Sequence, residues 1–127
     1  MPSNRSEGAG GEYKMVLILR GELRLTAGKA AVQAAHAAVM LARRAESKDA
    51  RYLEEWLRQG QKKIALEVAT LAEMEELERR ARAKGIPSVW VEDAGLTEVP
   101  AGTRTCLGLG PGPGSVIDPV TRHLPLL

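Results

Sequence analysis

YKMVLILR, residues 13–20, is a nearly continuous apolar run that is rich in Val, Leu and Ile. Continuous runs of this kind are typical of strands covered on both faces, because a solvated face would place polar residues at alternate positions. The sequence therefore predicts a buried β-strand over Tyr13–Arg20, with helices packed on both faces of its sheet.

The segments that follow this strand alternate between helical and extended patterns. Thr26 is a good N-cap for an Ala-rich helix, and Thr70-Leu71-Ala72-Glu73 has the capping-box pattern. The predicted elements are helices over 27–45 and 49–59, a strand over 62–69, a helix from the capping box to about Lys84, strands over 88–92 and 103–109, and a loop at GPGPG, 110–114. This alternation predicts an α/β domain with a mostly parallel sheet, whose ligand sites lie beyond the carboxyl ends of the strands.

The composition is that of one globular domain. The chain has 127 residues, is 44% hydrophobic and carries a net charge of +2, which is too small to indicate nucleic-acid binding by itself. Cys106 is the single cysteine, so no intrachain disulfide can form, and no Cys/His cluster has zinc spacing. These facts indicate no zinc site and fit a reducing compartment, which we predict to be the cytoplasm.

Two further features concern localisation. No stretch is long and apolar enough to span a membrane, so no membrane partner is predicted. Residues 1–12 are polar and Gly-rich and lack the apolar centre of a signal peptide, which predicts a disordered tail before the domain at 13–127.

Polar residues stand out at two places near the predicted carboxyl edge of the sheet. Lys29, Gln33, His36 and Met40 share one stripe of the first helix, which is either a polar site or simply its solvent face. Asp93 follows the strand over 88–92 directly. A carboxylate there can act as a base or orient water, although Asp-Ala-Gly also suits a turn. Spacing alone leaves both alternatives open.

Taken in order, several motifs resemble the peptidyl-tRNA hydrolase type 2 family over residues 13–127. They are KMVLILR at 14–20, GKAAVQAAHAAV at 28–39, GQKK at 60–63, DAGLT at 93–97, GTRT at 102–105, GLGPGP at 108–113, and the ending through Ile117, Asp118, Thr121, His123 and Leu124. Ala35 departs from the pattern, since family members often carry a small polar residue before the histidine. The resemblance implies a single three-layer α/β/α domain with a four-stranded mixed sheet flanked by helices, one strand being antiparallel, and a homodimer.

The activity that the resemblance implies is hydrolysis of the ester between a peptide and the 3′-terminal ribose of tRNA, without a cofactor or metal. The positions that matter in the family correspond here to Lys29, His36, Asp93, Thr97 and Thr105, with Gln33 a weaker candidate. We hypothesise that Asp93 orients or deprotonates water and that Lys29 keeps Asp93 ionised and supplies positive charge.

The remaining residues are given supporting roles in this hypothesis. Thr97 and Thr105 would position water or the terminal ribose. His36 would bind substrate or support the fold, because it lies about 10 Å beyond Lys29 along the helix axis. The tRNA would be held through its phosphates, and the residues that we assign to substrate contact are Gln33, Arg20, Arg24, Lys62, Lys63, Thr103 and Arg104. The alternative is a non-catalytic RNA- or protein-binding module on the same fold.

Overall fold

The chain alternates strands and helices, as its sequence predicts. The computed structural model describes residues 11–95 and 98–127; residues 1–10 of the predicted tail, and Leu96 and Thr97, lie outside the described residues. Within the described ranges the elements are β1 (Tyr13–Arg20), a 3-10 turn (Gly21–Leu23), α1 (Ala27–Lys48), α2 (Ala50–Arg58), β2 (Lys63–Val68), α3 (Leu71–Ala83), β3 (Ser88–Glu92), β4 (Arg104–Pro113) and α4 (Gly114–Thr121).

The strands form one mixed sheet in the order β2-β1-β4-β3. β1 and β2 are parallel, whereas β4 runs antiparallel to both of its neighbours, β1 and β3. The mixed sheet with one antiparallel strand, which the family resemblance implies, is confirmed. The alternation of strands and helices along the sequence does not by itself indicate the direction of β4. Residues 93–103, which join β3 to β4, are too few for the crossover that a parallel neighbour usually needs, about a dozen residues or more.

Helices cover both faces of the sheet, so the predicted three-layer arrangement is confirmed. On one face, Met15, Leu17 and Leu19 of β1 pack with buried residues of α1 and α2. On the other face, Val16 and Ile18 pack with buried residues of α3 and α4. Burial on alternate sides explains why the sequence of β1 is apolar throughout rather than at every second position.

Small residues bring α1 close to the sheet. Ala30, Ala37 and Ala45 lie on its buried face. A Cβ atom at Gly108 of β4 would lie 2.8 Å from Cδ1 of Leu41 and 3.2 Å from the Cβ of Ala37. The Ala-rich composition of the helix is therefore a packing requirement, and it holds the start of α1 against the carboxyl edge of the sheet.

The prediction that GPGPG forms a loop is wrong for residues 110–113, which extend β4. A bulge between Lys14 and Val16 shifts the register, and Gly112 and Pro113 then pair with β1. Prolines fit here because β3 pairs with β4 only as far as Leu109, so on that side their missing N–H groups break no ladder. Gly110 has a φ of 101°, which favours glycine.

One outer edge of the sheet is covered by the chain and the other is open. The last residues of the chain cover β2: the N–H of Glu67 donates to the carbonyl of Pro125, and the N–H of Leu127 donates to the carbonyl of Ala65, each at 3.0 Å. In the described part of the chain, β3 has β4 as its strand partner and nothing paired along its other side. An uncovered strand edge offers backbone donors and acceptors to another chain.

Two residues that the sequence assigns to the tail are tied to the domain. The carbonyl of Glu12 accepts a hydrogen bond of 2.7 Å from the N–H of Gly114, and the carbonyl of Gly11 accepts one from the side chain of Gln59. Among the described residues, no helix has the length and apolarity to cross a membrane.

Candidate active site

A buried ion pair lies at the carboxyl edge of the sheet. Lys29 is in the first turn of α1 and Asp93 follows the last residue of β3. The Nζ atom of Lys29 lies 2.5 Å from Oδ2 of Asp93, and the two side chains are only 12% and 2% exposed. The structure thus brings together the two residues that sequence analysis placed at the centre of the site.

The backbone around Asp93 fixes the direction of its carboxylate. Oδ1 of Asp93 accepts a hydrogen bond of 2.6 Å from the N–H of Gly95. The N–H of Asp93 donates to the carbonyl of Thr103, and its carbonyl accepts from the N–H of Gly102. Gly95 has a φ of 83°, and a Cβ there would lie 2.7 Å from the Cβ of Ala101, so this turn requires glycine.

Thr26 and Glu98 hold the start of α1 against the same turn. The hydroxyl of Thr26 accepts a hydrogen bond from the N–H of Lys29, as an N-cap does. The N–H and the hydroxyl of Thr26 also donate to the carboxylate of Glu98, at 3.0 and 2.6 Å. These hydrogen bonds, together with the charge of Lys29, hold the pKa of Glu98 below its usual value. Glu98 is therefore ionised at neutral pH and links the β3–β4 connection to α1.

Burial of this ion pair is better explained by function than by stability. Taking two charges out of water is costly, and apolar residues of similar volume are often at least as stable as a buried pair. A buried carboxylate with a fixed cation at the ligand-binding edge of an α/β sheet is the arrangement expected of a catalytic group.

One helical turn after Lys29, the side chain of Gln33 is buried against β4. Gln33 is 2% exposed and Thr105 is fully buried. The hydroxyl of Thr105 lies 2.5 Å from Oε1 of Gln33 and donates to it. Because no surface of Thr105 is accessible, its hydroxyl is placed to orient Gln33, and the predicted contact of Thr105 with water or ribose does not fit this structure.

Replacing Thr105 by valine is expected to lower the free energy of unfolding by about 1–3 kcal/mol, because Oε1 of Gln33 loses its buried donor. Urea unfolding of both proteins measures this difference. Thr103→Val is the matched control: Thr103 is half-buried, and its side chain makes no hydrogen bond to any described residue. Equal losses in the two variants would show that the Gln33–Thr105 bond contributes nothing specific.

The predicted basic residues separate into two groups. Arg20 and Arg104 end β1 and begin β4 at the site's edge of the sheet, where Nη1 of Arg20 donates to the carbonyl of Arg104 at 3.0 Å. Arg104 also stacks on Trp90, with its guanidinium carbon 4.3 Å from the ring centroid. Arg24 is exposed in the loop between β1 and α1.

Lys62 and Lys63 do not flank the site, contrary to the sequence-based prediction. They lie at the amino end of β2, where Lys63 is in register with Met15 of β1, so they are at the opposite edge of the sheet. Lys62 forms an ion pair of 2.9 Å with Glu12, and the Nζ atom of Lys63 lies over the ring of Trp56. The predicted parallel sheet already implies this position, because the amino end of a strand parallel to β1 lies opposite the carboxyl edge at which ligands bind.

The other predicted residues have distinct positions. His36 is exposed on α1 and lines a groove beside β3, with no hydrogen bond to the ion pair in the part of the chain that the structure describes. Thr103 contributes its carbonyl to the N–H of Asp93. Thr97 lies outside the described residues.

Glu98 and Trp90 are not indicated by the sequence, which indicates Gly95 only as part of a turn. The hydrogen bonds of Glu98 to Thr26 join residues 72 positions apart, and no local pattern predicts such a contact. The positive φ of Gly95 agrees with the turn that Asp-Ala-Gly predicts, since such turns favour glycine at this position.

Neither a cysteine nucleophile nor a metal site finds support among the described residues. Burial raises the pKa of the Cys106 thiol to about 12, so this residue is not a nucleophile at neutral pH. Residues 11–95 and 98–127 contain no group of three or more His, Cys, Asp or Glu side chains arranged to hold a metal ion.

Comparison with known proteins gives one consistent result. The family model described as peptidyl-tRNA hydrolase PTH2 matches residues 13–127. A peptidyl-tRNA hydrolase of Methanopyrus kandleri is 50% identical over 115 residues, and one of Thermococcus onnurineus is 43% identical; each match covers 91% of this chain and 98% of the relative. The mitochondrial peptidyl-tRNA hydrolase 2 of Bos taurus is 40% identical, over 94% of this chain and 66% of its own length.

Among solved structures, a protein of unknown function from Agrobacterium tumefaciens is similar in fold. Its TM-score is 0.54 at 9% sequence identity, and the match covers 91% of this chain and 98% of that protein. At this identity the likeness concerns the arrangement of strands and helices alone.

Proposed function

Because the chain belongs to the peptidyl-tRNA hydrolase PTH2 family, we propose that it hydrolyses the ester between peptide and tRNA in peptidyl-tRNA at the Lys29–Asp93 pair. The observation that carries this proposal is the 2.5 Å contact between two buried, opposite charges at the carboxyl edge of the sheet. Water adds to the ester carbonyl, the bond between the carbonyl carbon and the ribose oxygen breaks, and the products are a peptide carboxylic acid and tRNA with a free ribose hydroxyl.

In this proposal Asp93 orients and deprotonates the attacking water. A carboxylate has roughly four lone-pair sites, so it can accept from Lys29, Gly95 and a water together. The Gly95 N–H and the Lys29 ammonium both favour the ionised form, which is the form that accepts a proton. The fixed geometry also removes the need to reorient the base during the reaction.

Lys29 stabilises the negative charge that develops on the carbonyl oxygen. An ammonium has three N–H donors, of which one is directed to Asp93. The others are available to the oxyanion, and the low exposure of the side chain strengthens such an interaction because little water screens it. Asp93 is less suited to be the nucleophile itself, since its oxygens are held in charge-assisted hydrogen bonds.

Gln33 and Thr105 are positioning residues in this proposal, buried where α1 packs against β4. The Thr105 hydroxyl fixes Oε1 of Gln33, so the amide nitrogen is turned away from Thr105 and can donate toward a group bound beside Lys29. His36 lies further along α1, in the groove beside β3, and its role is in substrate contact.

The tRNA is held by phosphate contacts at the β1–α1 loop, which suits an enzyme that accepts tRNAs of different sequence. Arg24 is the residue best placed to make such a contact, because it is exposed and has no ion pair with any described residue. Arg20 and Arg104 are already engaged with Glu22 and Trp90.

Replacing Arg24 by alanine is expected to weaken tRNA binding. The logarithm of the association constant falls linearly with the logarithm of the salt concentration, and this slope should become shallower by about 1, as loss of one phosphate contact does. Fluorescence titration of deacylated tRNA at several salt concentrations measures the slope. Lys62→Ala, at the opposite edge of the sheet, should leave it unchanged. A larger effect of Lys62 than of Arg24 would place the tRNA on the other edge.

The compartment and the oligomeric state of the enzyme are also predictions. The cytosol is its proposed compartment, which the single free and buried cysteine supports. The homodimer that the family resemblance implies stays a prediction, and sedimentation of the purified chain tests it.

The activity is tested by incubating the purified protein with N-acetyl-aminoacyl-tRNA and with unblocked aminoacyl-tRNA. Release of tRNA from the blocked substrate, and little release from the unblocked one, is the expected result. Tight binding of tRNA without release would instead indicate the non-catalytic RNA-binding module. Neither binding nor release would contradict both functions.

A further inference from the structure

A groove of about 530 Å³ runs beside the ion pair, between α1 and the edge strand β3. Its lining residues are His36, Val39 and Met40 of α1 and Trp90, Val91 and Glu92 of β3. Val91 and Glu92 directly precede Asp93 in the chain, so the groove lies along the strand whose end carries the proposed catalytic carboxylate. Met40 and Val39 are 40% and 59% exposed there, although they are apolar.

The polarity of the surface differs between the two sides of β3. The groove on the α1 side is lined mainly by apolar atoms. On the α3 side, Arg104 stacks on Trp90 and lies 3.8 Å from Glu75 and 3.9 Å from Glu92, so its charge is shared with two carboxylates. The apolar side is therefore suited to a peptide, and the exposed Arg24 of the β1–α1 loop is left for the polyanion.

The open edge of β3 adds backbone recognition to the groove. Along its outer side, β3 presents N–H and C=O groups that no described strand pairs with. A peptide that lies in the groove can pair with such an edge through its main chain, whatever its side chains are. This mode of binding suits a substrate whose peptide part varies in sequence.

We propose that the α1–β3 groove binds the peptide part of the substrate, with residues a few positions before the esterified one against Val39 and Met40. The esterified residue itself lies at Asp93, and Val39 and Met40 are roughly 15 Å beyond Lys29 along the helix axis, which an extended peptide spans with about four residues. This inference rests on the proposed function, since it takes Asp93 as the point at which the ester lies. The tRNA then leaves the site toward Arg24. An unblocked amino acid is disfavoured at the site, because its ammonium would be desolvated close to the positive charge of Lys29.

The test is Met40→Glu, which places a carboxylate in the groove at an exposed position. The KM for N-acetyl-pentaleucyl-tRNA is expected to rise on the order of tenfold, the effect that one altered contact in an apolar pocket produces. The KM for N-acetyl-leucyl-tRNA, whose single residue does not reach Met40, should stay unchanged. The inhibition constant of deacylated tRNA should stay unchanged. Leu57→Glu is the matched control, because Leu57 is 46% exposed on α2, away from the groove, and should change none of these values.

Met40→Gln keeps the side-chain length without a charge and provides a second variant if the first does not fold. It should reduce the preference of the enzyme for N-acetyl-pentaleucyl-tRNA over N-acetyl-pentaglycyl-tRNA. Wild-type enzyme that does not discriminate between these substrates, together with an unchanged KM for N-acetyl-pentaleucyl-tRNA in Met40→Glu, would overturn the inference.

Other occupants of the groove give different results. If it held the terminal nucleoside, Met40→Glu would weaken deacylated tRNA to the same extent as peptidyl-tRNA. If a second copy of the chain covered it, the variant would change the sedimentation coefficient. Either result overturns the inference, whereas failure of the proposed function itself would appear in the wild type, as no release of tRNA from any blocked substrate.

Discussion

Replacing Asp93 by asparagine is expected to lower kcat by about 10²–10⁴-fold, the range over which general-base groups contribute. Asparagine has nearly the same shape and can still accept the hydrogen bond from Gly95, but it carries no charge and cannot take a proton from water. The KM for N-acetyl-aminoacyl-tRNA should change little, because Asp93 is buried and its proposed role is in the chemical step. Steady-state kinetics on the purified variant provide both values.

A second lysine–aspartate pair in the same chain provides the control. Nζ of Lys14 lies 2.8 Å from Oδ1 of Asp118, at the opposite edge of the sheet from Asp93. Asp118→Asn removes a paired carboxylate just as Asp93→Asn does, yet it should leave kcat unchanged. If Asp93→Asn kept near-normal turnover, or if both variants lost activity equally, Asp93 would not be the base.

Replacing Lys29 by methionine is expected to lower kcat by about 10²–10³-fold, as loss of one donor to an oxyanion does. Methionine keeps the apolar stem of the side chain, so the change mainly removes the charge. Because a neighbouring cation favours the ionised form of a carboxylate, its loss should also move the acidic limb of the pH–activity profile to higher pH. A pH–rate profile of the variant measures both effects.

The same substitution should reduce stability, because it leaves the carboxylate of Asp93 buried without its cation; removal of one partner of a buried pair costs about 3–5 kcal/mol. Lys14→Met is the control, since it also breaks a lysine–aspartate pair but lies away from the site. It should destabilise the fold without moving the pH profile. A Lys29 variant that keeps the wild-type profile would show that Lys29 acts on stability alone.

Local patterns in the sequence predicted most of the secondary structure. β1 and β3 have the predicted bounds, and the N-caps at Thr26 and Thr70 begin α1 and α3 as expected. These features depend on neighbours a few positions away: alternating burial in β1, and side-chain oxygens that accept from N–H groups three residues later.

Part of what the sequence patterns miss depends on contacts between distant residues. The pairing of Gly112 with Lys14 follows from the register of the whole sheet, whereas the local pattern of GPGPG indicates a loop. The direction of β4 and the place of Lys62 and Lys63 are open to inference instead: the connection before β4 is short, and the amino end of a parallel strand lies opposite the ligand-binding edge.

The site was predictable in its residue types but not in its geometry. Lys29 and Asp93 were singled out by position and by the family resemblance, yet their 2.5 Å contact depends on the packing of α1 against the sheet. For Thr105 the residue type suggests contact with substrate, and only the structure places its hydroxyl, fully buried, against Oε1 of Gln33.

The central claim, that Asp93 and Lys29 direct water onto the ester of peptidyl-tRNA, is tested most directly by a single turnover in H₂¹⁸O. Excess enzyme is mixed with N-acetyl-aminoacyl-tRNA, and the released N-acetyl amino acid and the peptide that contains Asp93 are examined by mass spectrometry. We expect tRNA release with ¹⁸O in the carboxylate of the N-acetyl amino acid and none in Asp93. Label in Asp93 would indicate a covalent anhydride instead, and absence of release would contradict hydrolysis altogether.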